Sequence, residues 1–206
     1  SVTQTNKDEF EAVVEAKGVT NLNNMIGHNF RLGEIECAIG IEQLQKLKEL
    51  VETRQKAAER LSIGLKNLDG LRLPIVKDDC THVYYVYPLI VDTQKLKVSR
   101  DLIIKALKAE GVSGLSAGYS NVHLLPMYQN KVAYGANGFP WNLEGVRQNI
   151  DYTKGICPVA EELHEKTFIG FQMCVHELSD DDVDLIVSAF RKVWANLDTL
   201  RVIDRV

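Results

Sequence analysis

From Glu34 to Leu68, apolar residues recur at seven-residue spacing along two stripes: Cys37, Leu44, Val51, Ala58, Leu65 and Gly40, Leu47, Arg54, Leu61, Leu68. That spacing predicts one long amphipathic helix with a single buried face, broken only at Gly40 and Arg54. Gly33 serves as an N-cap, and Glu34 and Glu36 put negative charge at the positive end of the helix dipole. About 35 residues at ~1.5 Å each span roughly 50 Å, more than a small domain is wide. The helix is therefore expected to tie two bodies together.

After it the period changes. Gly70 to Val76 reads as a short strand that Pro74 confines to an edge or a bulge. His82 to Asp92 reads as a stronger strand, rich in Tyr and Val, with Pro88 marking a bulge or its exposed side. Ser99 caps a helix carrying Leu102, Ile103, Ala106 and Leu107 on one face, and Gly111 stops it. Val112 to Tyr119 returns as a strand. Near the end Ser179 and Asp182 form a capping box, three aspartates fill the first turn, and Val183, Ile186, Val187, Phe190, Val193, Trp194 and Leu197 form a buried face. The expected class is α/β, with a small, open antiparallel sheet covered by helices.

Composition narrows the setting. The 206 residues are 45% hydrophobic, enough to bury a real core. A net charge of -4 offers no basic face to nucleic acid or an anionic membrane. No apolar run approaches the ~20 residues that span a bilayer. Cys37, Cys80, Cys157 and Cys174 are scattered without a C-x-x-C pair, which argues against a zinc site and a disulfide framework and for a reducing cytoplasm. His164 and His176 are each followed by glutamate, but neither completes H-E-x-x-H, so both read as surface or packing residues. No internal repeat or low-complexity segment is evident.

Candidate chemistry gathers just ahead of the long helix. Within Gly27-His28-Asn29-Phe30-Arg31, the Asn29 amide and the Arg31 guanidinium are two donors delivered at a helix N-terminus, where unpaired N–H groups attract anions such as phosphate. The alternative from chemistry alone is that both side chains satisfy local carbonyls and a nearby carboxylate.

The pattern Gly27, Asn29, Arg31, Glu34, Ala38, Gly40, Gln43, Leu44 and Arg54 resembles the G-x-N-x-R signature and following helix of the DegT/DnrJ/StrS family of pyridoxal-phosphate-dependent sugar aminotransferases. Further matches follow in order: His82-Val-Tyr-Tyr-Val-Tyr87, Gly118-Tyr119 to Tyr128 with His123 and Pro126, Cys157-Pro158-Val159-Ala160-Glu161, and the helix opened by Leu178 to Val183. Nearly the whole chain is covered, and what it resembles is the C-terminal half of that family. The resemblance implies the small domain of a fold-type-I aminotransferase. Residues 1–26 are then a remnant of the upstream cofactor domain, 27–68 a phosphate-contacting loop with the linking helix, and 69–206 the small domain.

It also implies a reaction, in which a keto sugar on a nucleotide carrier receives an amino group from a donor. The catalytic site would lie at a homodimer interface, with Asn29 reaching the cofactor phosphate of the other subunit and Arg31 supporting it. The Schiff-base lysine of the family lies upstream of the G-x-N-x-R loop. Here only Lys7 and Lys17 precede that loop, and Lys7 stands beside Asp8 and Glu9, which hold an amine protonated rather than nucleophilic. This chain alone is therefore expected to be inactive. Sugar dehydrases of the same family, which replace the lysine by histidine, stay open, as does a non-catalytic dimerisation module.

Tyr119 and His123 fall where the resemblance places residues that face the substrate, although the family usually has a histidine before the tyrosine and this chain has Gly118. The segment 121–158 is longer than is usual in the family and longer than structureless connections normally run. Tyr128, Tyr134, Phe139 and Trp141 give it unusual apolar content. Two readings stand: Trp141 covers the substrate by stacking on a base or sugar ring, or the aromatics form a mini-core that holds the segment down.

Overall fold

In the computed structural model, residues 32–118, 120–135, 137–147, 149–175 and 177–204 are described. They divide between two compact units, one comprising 32–118 with 162–204 and the other 120–161.

In the larger unit, the heptad stripes form helix α1, Glu34–Leu65, with Glu34 and Glu36 in its first turn. Only its C-terminal part is buried, at Ala57, Ala58, Leu61 and Leu65. The stripe continues toward the N-terminus but is open there, with Leu44 67% exposed and Leu47 exposed as well. The expectation of one buried face along the whole helix thus holds, among the described residues, for the last third. Periodicity fixes which residues share a face, and burial needs a neighbour to cover it. For α1 that neighbour is helix α6, Asp180–Ala195. The two approach so closely at Gly64 that an added Cβ would lie 2.5 Å from a Val187 methyl. On their solvent side the Arg60 guanidinium donates to the Asp184 carboxylate at 2.6 and 2.8 Å, and Arg191 donates to the Gly64 carbonyl.

The sheet is antiparallel, with β1 Leu71–Arg72, β2 Tyr87–Val91, β3 Leu115–Ser116 and β4 Phe168–Phe171 in the order β1-β2-β4-β3. β1 is an edge strand, but of the stretch expected from Gly70 to Val76 only Leu71 and Arg72 pair, and Pro74 lies beyond its end. The strand expected from His82 begins only at Tyr87. Upstream, the Tyr84 N–H turns back onto His82 Nδ1 at 2.8 Å, and Tyr84 is left-handed at φ 47°, which ends regular pairing. Pro88 pairs with Gly170 of β4, whereas β1 reaches only Ile90 and Val91. The proline therefore occupies a stretch where β2 has a strand neighbour on one side alone, which its missing N–H demands.

β4 has no counterpart among the strands expected from sequence, yet it pairs on both sides, with β2 and with β3. Gly170 allows this. A Cβ there would stand 2.9 Å from Ser116 Oγ and 3.0 Å from a Val86 methyl, so a larger residue would push the flanking strands apart.

Helices cover the sheet. α2 is a single turn, Thr93–Leu96, capped by the Asp92 carboxylate. α3, Arg100–Ala109, opens on Ser99, whose hydroxyl accepts the Leu102 N–H, and it buries Ile103, Ile104 and Leu107. α6 starts in the expected capping box, with Ser179 and Asp182 each accepting the other's backbone N–H. It buries Val183, Ala189, Phe190 and Val193. After it, α7, Leu197–Ile203, leads to Asp204, whose carboxylate accepts both the N–H and the hydroxyl of Ser99.

Sequence gave no reason to bury Arg100, yet it is 5% exposed. Its guanidinium donates to the carbonyls of Ala117, His164, Glu165 and Phe168 and to the Asp101 carboxylate. A buried cation is tolerated when each N–H is paired in this way. It ties the start of α3 to the segment after β3 and to the π-helical turn Leu163–Thr167 that leads into β4.

The smaller unit contains a 3-10 turn, Val122–Leu124, helix α4, Pro126–Asn130, and helix α5, Pro158–Glu162, whose last residue falls at the unit's edge. Its core is Met127, Ala133 and Trp141, with Tyr128 and Tyr152 packed against it.

Candidate functional site

The candidate site is built around His123. The Leu124 and Leu125 N–H groups turn back onto the Asn121 and Val122 carbonyls and close the 3-10 turn that bears it. Pro126 then opens α4 at a position where the absent N–H costs nothing. One turn on, the Gln129 amide donates to the His123 carbonyl at 2.7 Å and to the Tyr152 carbonyl at 2.6 Å. The backbone of His123 is thereby fixed against the strand of chain that carries Tyr152.

Its side chain is fixed by Glu161. His123 Nε2 lies 2.9 Å from Glu161 Oε1, and the two side chains are 11% and 9% exposed. The Gly155 N–H donates to both carboxylate oxygens, at 2.8 and 2.9 Å, and the Cys157 N–H donates to Oε1 at 3.3 Å. Gly155 is left-handed at φ 104°, the conformation that turns its N–H toward the carboxylate. The carboxyl is held below the usual carboxylate range, first by the Gly155 N–H and then by His123 and Cys157, against a smaller opposing effect of burial. It is a carboxylate at neutral pH.

Trp141 is 8% exposed. Its indole N–H donates to the Tyr152 hydroxyl at 3.1 Å, and its ring stands edge-to-face with Tyr128 and Tyr152. His123 and Trp141 are thus linked through Tyr152, by its carbonyl on one side and its hydroxyl on the other.

Of the other residues singled out from sequence, Asn29, Arg31, Tyr119 and His176 lie outside the described residues, as does the whole segment 1–31. His164 is half-buried, and a Cβ on Gly118 would come within 3.3 Å of its Nδ1. Glu161 and Gln129 went unassigned from sequence. The signal for Glu161 was its place in the Cys157-Pro158 motif, four residues after Cys157. For Gln129 there was none.

Among the described residues, two sizeable surface grooves and a smaller one lie in the larger unit. One, of about 480 Å³, includes Gly114, Phe171, Leu185 and Lys192 in its lining. The other, of about 440 Å³, includes Arg54, Met173 and Cys174. Neither includes His123, Glu161 or Trp141, and their linings hold no arrangement of catalytic groups, so size alone does not mark the site. Among the described residues no cluster of His, Cys, Asp or Glu could hold a metal ion, and no helix is long and apolar enough to cross a membrane. Every described lysine is exposed except Lys131, which is half-buried.

Comparison with known proteins gives a consistent relationship. The spore coat polysaccharide biosynthesis protein SpsC of Bacillus subtilis is 28% identical over 172 residues, covering 84% of this chain and 39% of that protein. The UDP-4-amino-4,6-dideoxy-N-acetyl-beta-L-altrosamine transaminase of Helicobacter pylori is 32% identical over 126 residues, 60% of this chain and 28% of that enzyme. The crystal structure of the aminotransferase TlmJ from Streptoalloteichus hindustanus aligns with a TM-score of 0.55 at 28% identity, covering 79% of this chain and 36% of that one. The chain therefore spans well under half the length of these relatives, and its architecture is that of the small domain of a fold-type-I aminotransferase. The sequence model of the DegT/DnrJ/EryC1/StrS aminotransferase family matches residues 7–143, and the chain belongs to that family.

Proposed function

We propose that this chain is the C-terminal portion of a pyridoxal-phosphate-dependent aminotransferase that makes an amino sugar from a nucleotide-linked keto sugar. The observation that carries this reading is the family match over residues 7–143. The Helicobacter pylori relative, named as the transaminase of a UDP-linked amino sugar, supports the substrate class. In the whole protein, residues 1–26 end the cofactor domain, 27–68 form the phosphate-contacting loop and linking helix, and 69–206 form the small domain. The enzyme works as a homodimer in the cytoplasm and draws its amino group from an amino donor.

Asn29 and Arg31 hold the cofactor phosphate, and Tyr119 and His123 face the sugar. Trp141, with its N–H engaged by Tyr152, belongs to the mini-core that holds down the segment carrying His123. When bound, pyridoxal phosphate supplies the electron sink for amino transfer. The lysine that moves the proton lies outside this chain, which is inactive alone.

The test is amino transfer by the full-length protein from glutamate or glutamine to UDP- and dTDP-linked keto sugars, with mass spectrometry of the product. A nucleotide-linked amino sugar is expected. Elimination of water without nitrogen incorporation would replace this reading by a dehydrase, and no reaction with any keto sugar would overturn it.

A further inference from the structure

Among the described residues, two backbone N–H groups and an imidazole nitrogen meet the Glu161 carboxylate. The Gly155 and Cys157 N–H groups can only donate, and both are directed at the carboxylate. His123 Nε2 stands 2.9 Å from the same oxygen that accepts from them. Two lone pairs at that distance repel, so the proton of the neutral imidazole belongs on Nε2, donated to Oε1. Nδ1 then carries the lone pair. It makes no hydrogen bond among the described residues, and no side-chain nitrogen or oxygen among them is both sealed from solvent and without a partner. Nδ1 is therefore an accessible acceptor on a ring whose other nitrogen and whose backbone carbonyl are both tied down.

We propose that Glu161 is a positioning residue that holds His123 in its Nε2–H tautomer, so that Nδ1 accepts a hydrogen bond from a hydroxyl of the sugar ligand. The ligand's class rests on the function proposed above, whereas the tautomer stands on the geometry alone. The chemistry is selective. A hydroxyl can donate to Nδ1, while a deoxygenated carbon or an ether oxygen at the same place cannot. A carboxylate behind a histidine also holds the ring in one orientation before the ligand arrives, which removes an ordering cost from binding.

A purely structural tie, in which the pair only fastens the 155–161 turn to the 122–124 turn, would keep the fold but would not fix the proton or read the sugar. Long-range proton–nitrogen NMR of the full-length protein, labelled with nitrogen-15 histidine, separates the two. It is recorded at about pH 9, above the ordinary histidine value of about 6.5. The expected His123 spectrum has a protonated Nε2 and an unprotonated Nδ1. In Glu161→Leu the acceptor is lost and the tautomers mix, while Glu161→Asp retains the wild-type preference in part. A wild-type His123 with its proton on Nδ1 overturns the proposal without any variant, as does a Glu161→Leu spectrum identical to wild type.

Binding of UDP-glucose and its four monodeoxy analogues supplies the ligand arm. One analogue is expected to bind about tenfold more weakly than UDP-glucose to wild type, a difference of the size one hydrogen bond makes, and to lose that penalty in Glu161→Leu. Equal penalties in both proteins overturn the sugar contact while leaving the function untouched. No binding of either UDP-glucose or dTDP-glucose overturns the contact and the proposed nucleotide-sugar specificity together.

Discussion

The Tyr87 hydroxyl lies 2.7 Å from Ser62 Oγ, joining β2 to α1 inside the core. Ser62 donates its own hydroxyl hydrogen to the Ala58 carbonyl at 2.8 Å, so Tyr87 is the donor of the pair. The ring is fully buried between the sheet and the one part of α1 that is covered. The polar tip of a core aromatic is thus satisfied by a helix residue whose own hydrogen is already committed.

The phenol consequently titrates late. Burial pushes it up to about 12. A group whose folded value lies above its unfolded value of about 10 stabilises fully below pH 10 and loses that contribution as pH rises through the folded value. In an alkaline absorbance titration one tyrosine should ionise near 12, together with unfolding. Tyr87→Phe should abolish that last step and cost about 1 kcal/mol in urea unfolding at pH 7. A titration in which every tyrosine ionises near 10 in folded protein would show that Tyr87 is not buried.

Gly64 is a contact glycine on α1. In an open helix Gly→Ala stabilises by about 1 kcal/mol. Here the new methyl would meet both Val187 methyls at 2.5 and 2.7 Å, so Gly64→Ala should instead destabilise by about 1–3 kcal/mol. The double variant with Val187→Ala should recover part of the loss. A single variant as stable as the parent would mean that α1 and α6 do not meet at this point.

Acid should loosen the protein through specific carboxylates. Glu161 is held below the usual range first by the Gly155 N–H, Asp182 first by the Ser179 hydroxyl, and Asp184 first by Arg60. Depressed folded values mean stability that is present above the ordinary carboxylate range of about 4 and is lost as pH falls through the folded values. The urea midpoint should therefore hold steady from pH 7 to 5 and fall below about pH 4. In Glu161→Gln and Ser179→Ala the fall should be shallower. An unchanged slope in both would remove these contacts as its cause.

Cofactor retention tests the phosphate assignment. Asn29→Ala in the full-length protein should weaken pyridoxal phosphate binding about tenfold or more, as expected for a lost hydrogen bond to a charged group. Circular dichroism should be unchanged. Equal cofactor affinity would remove Asn29 from the phosphate site.

What sequence made legible follows from how local each signal is. The α6 capping box depends on two residues three apart, Ser179 and Asp182, and formed as read. The strand expected over Gly70 to Val76 formed only at Leu71 and Arg72, before Pro74. β4 went unread because it is only four residues long and Gly170 interrupts it, although Phe168, Ile169 and Phe171 favour a strand and pairing with β2 and β3 completes it. Along α1 the heptads gave the helix, yet its covered length depended on where α6 crosses. At the site, the motif ending in Glu161 was visible as a pattern. Its contact with His123 was not, because it requires the chain between 124 and 157 to return on itself. Arg100 reads in sequence as an ordinary first-turn cation, and its carbonyl partners are scattered from Ala117 to Phe168.

The most direct measurement is to incubate the purified 206-residue chain with pyridoxal phosphate, reduce with borohydride and map phosphopyridoxyl peptides by mass spectrometry. Excess free amine competes away surface labelling. A C-terminal portion whose reactive lysine lies elsewhere should show no single lysine labelled to stoichiometry, while the full-length protein should show one, outside these 206 residues. One stoichiometric lysine within this chain would contradict the account and make the chain a cofactor-binding enzyme in its own right.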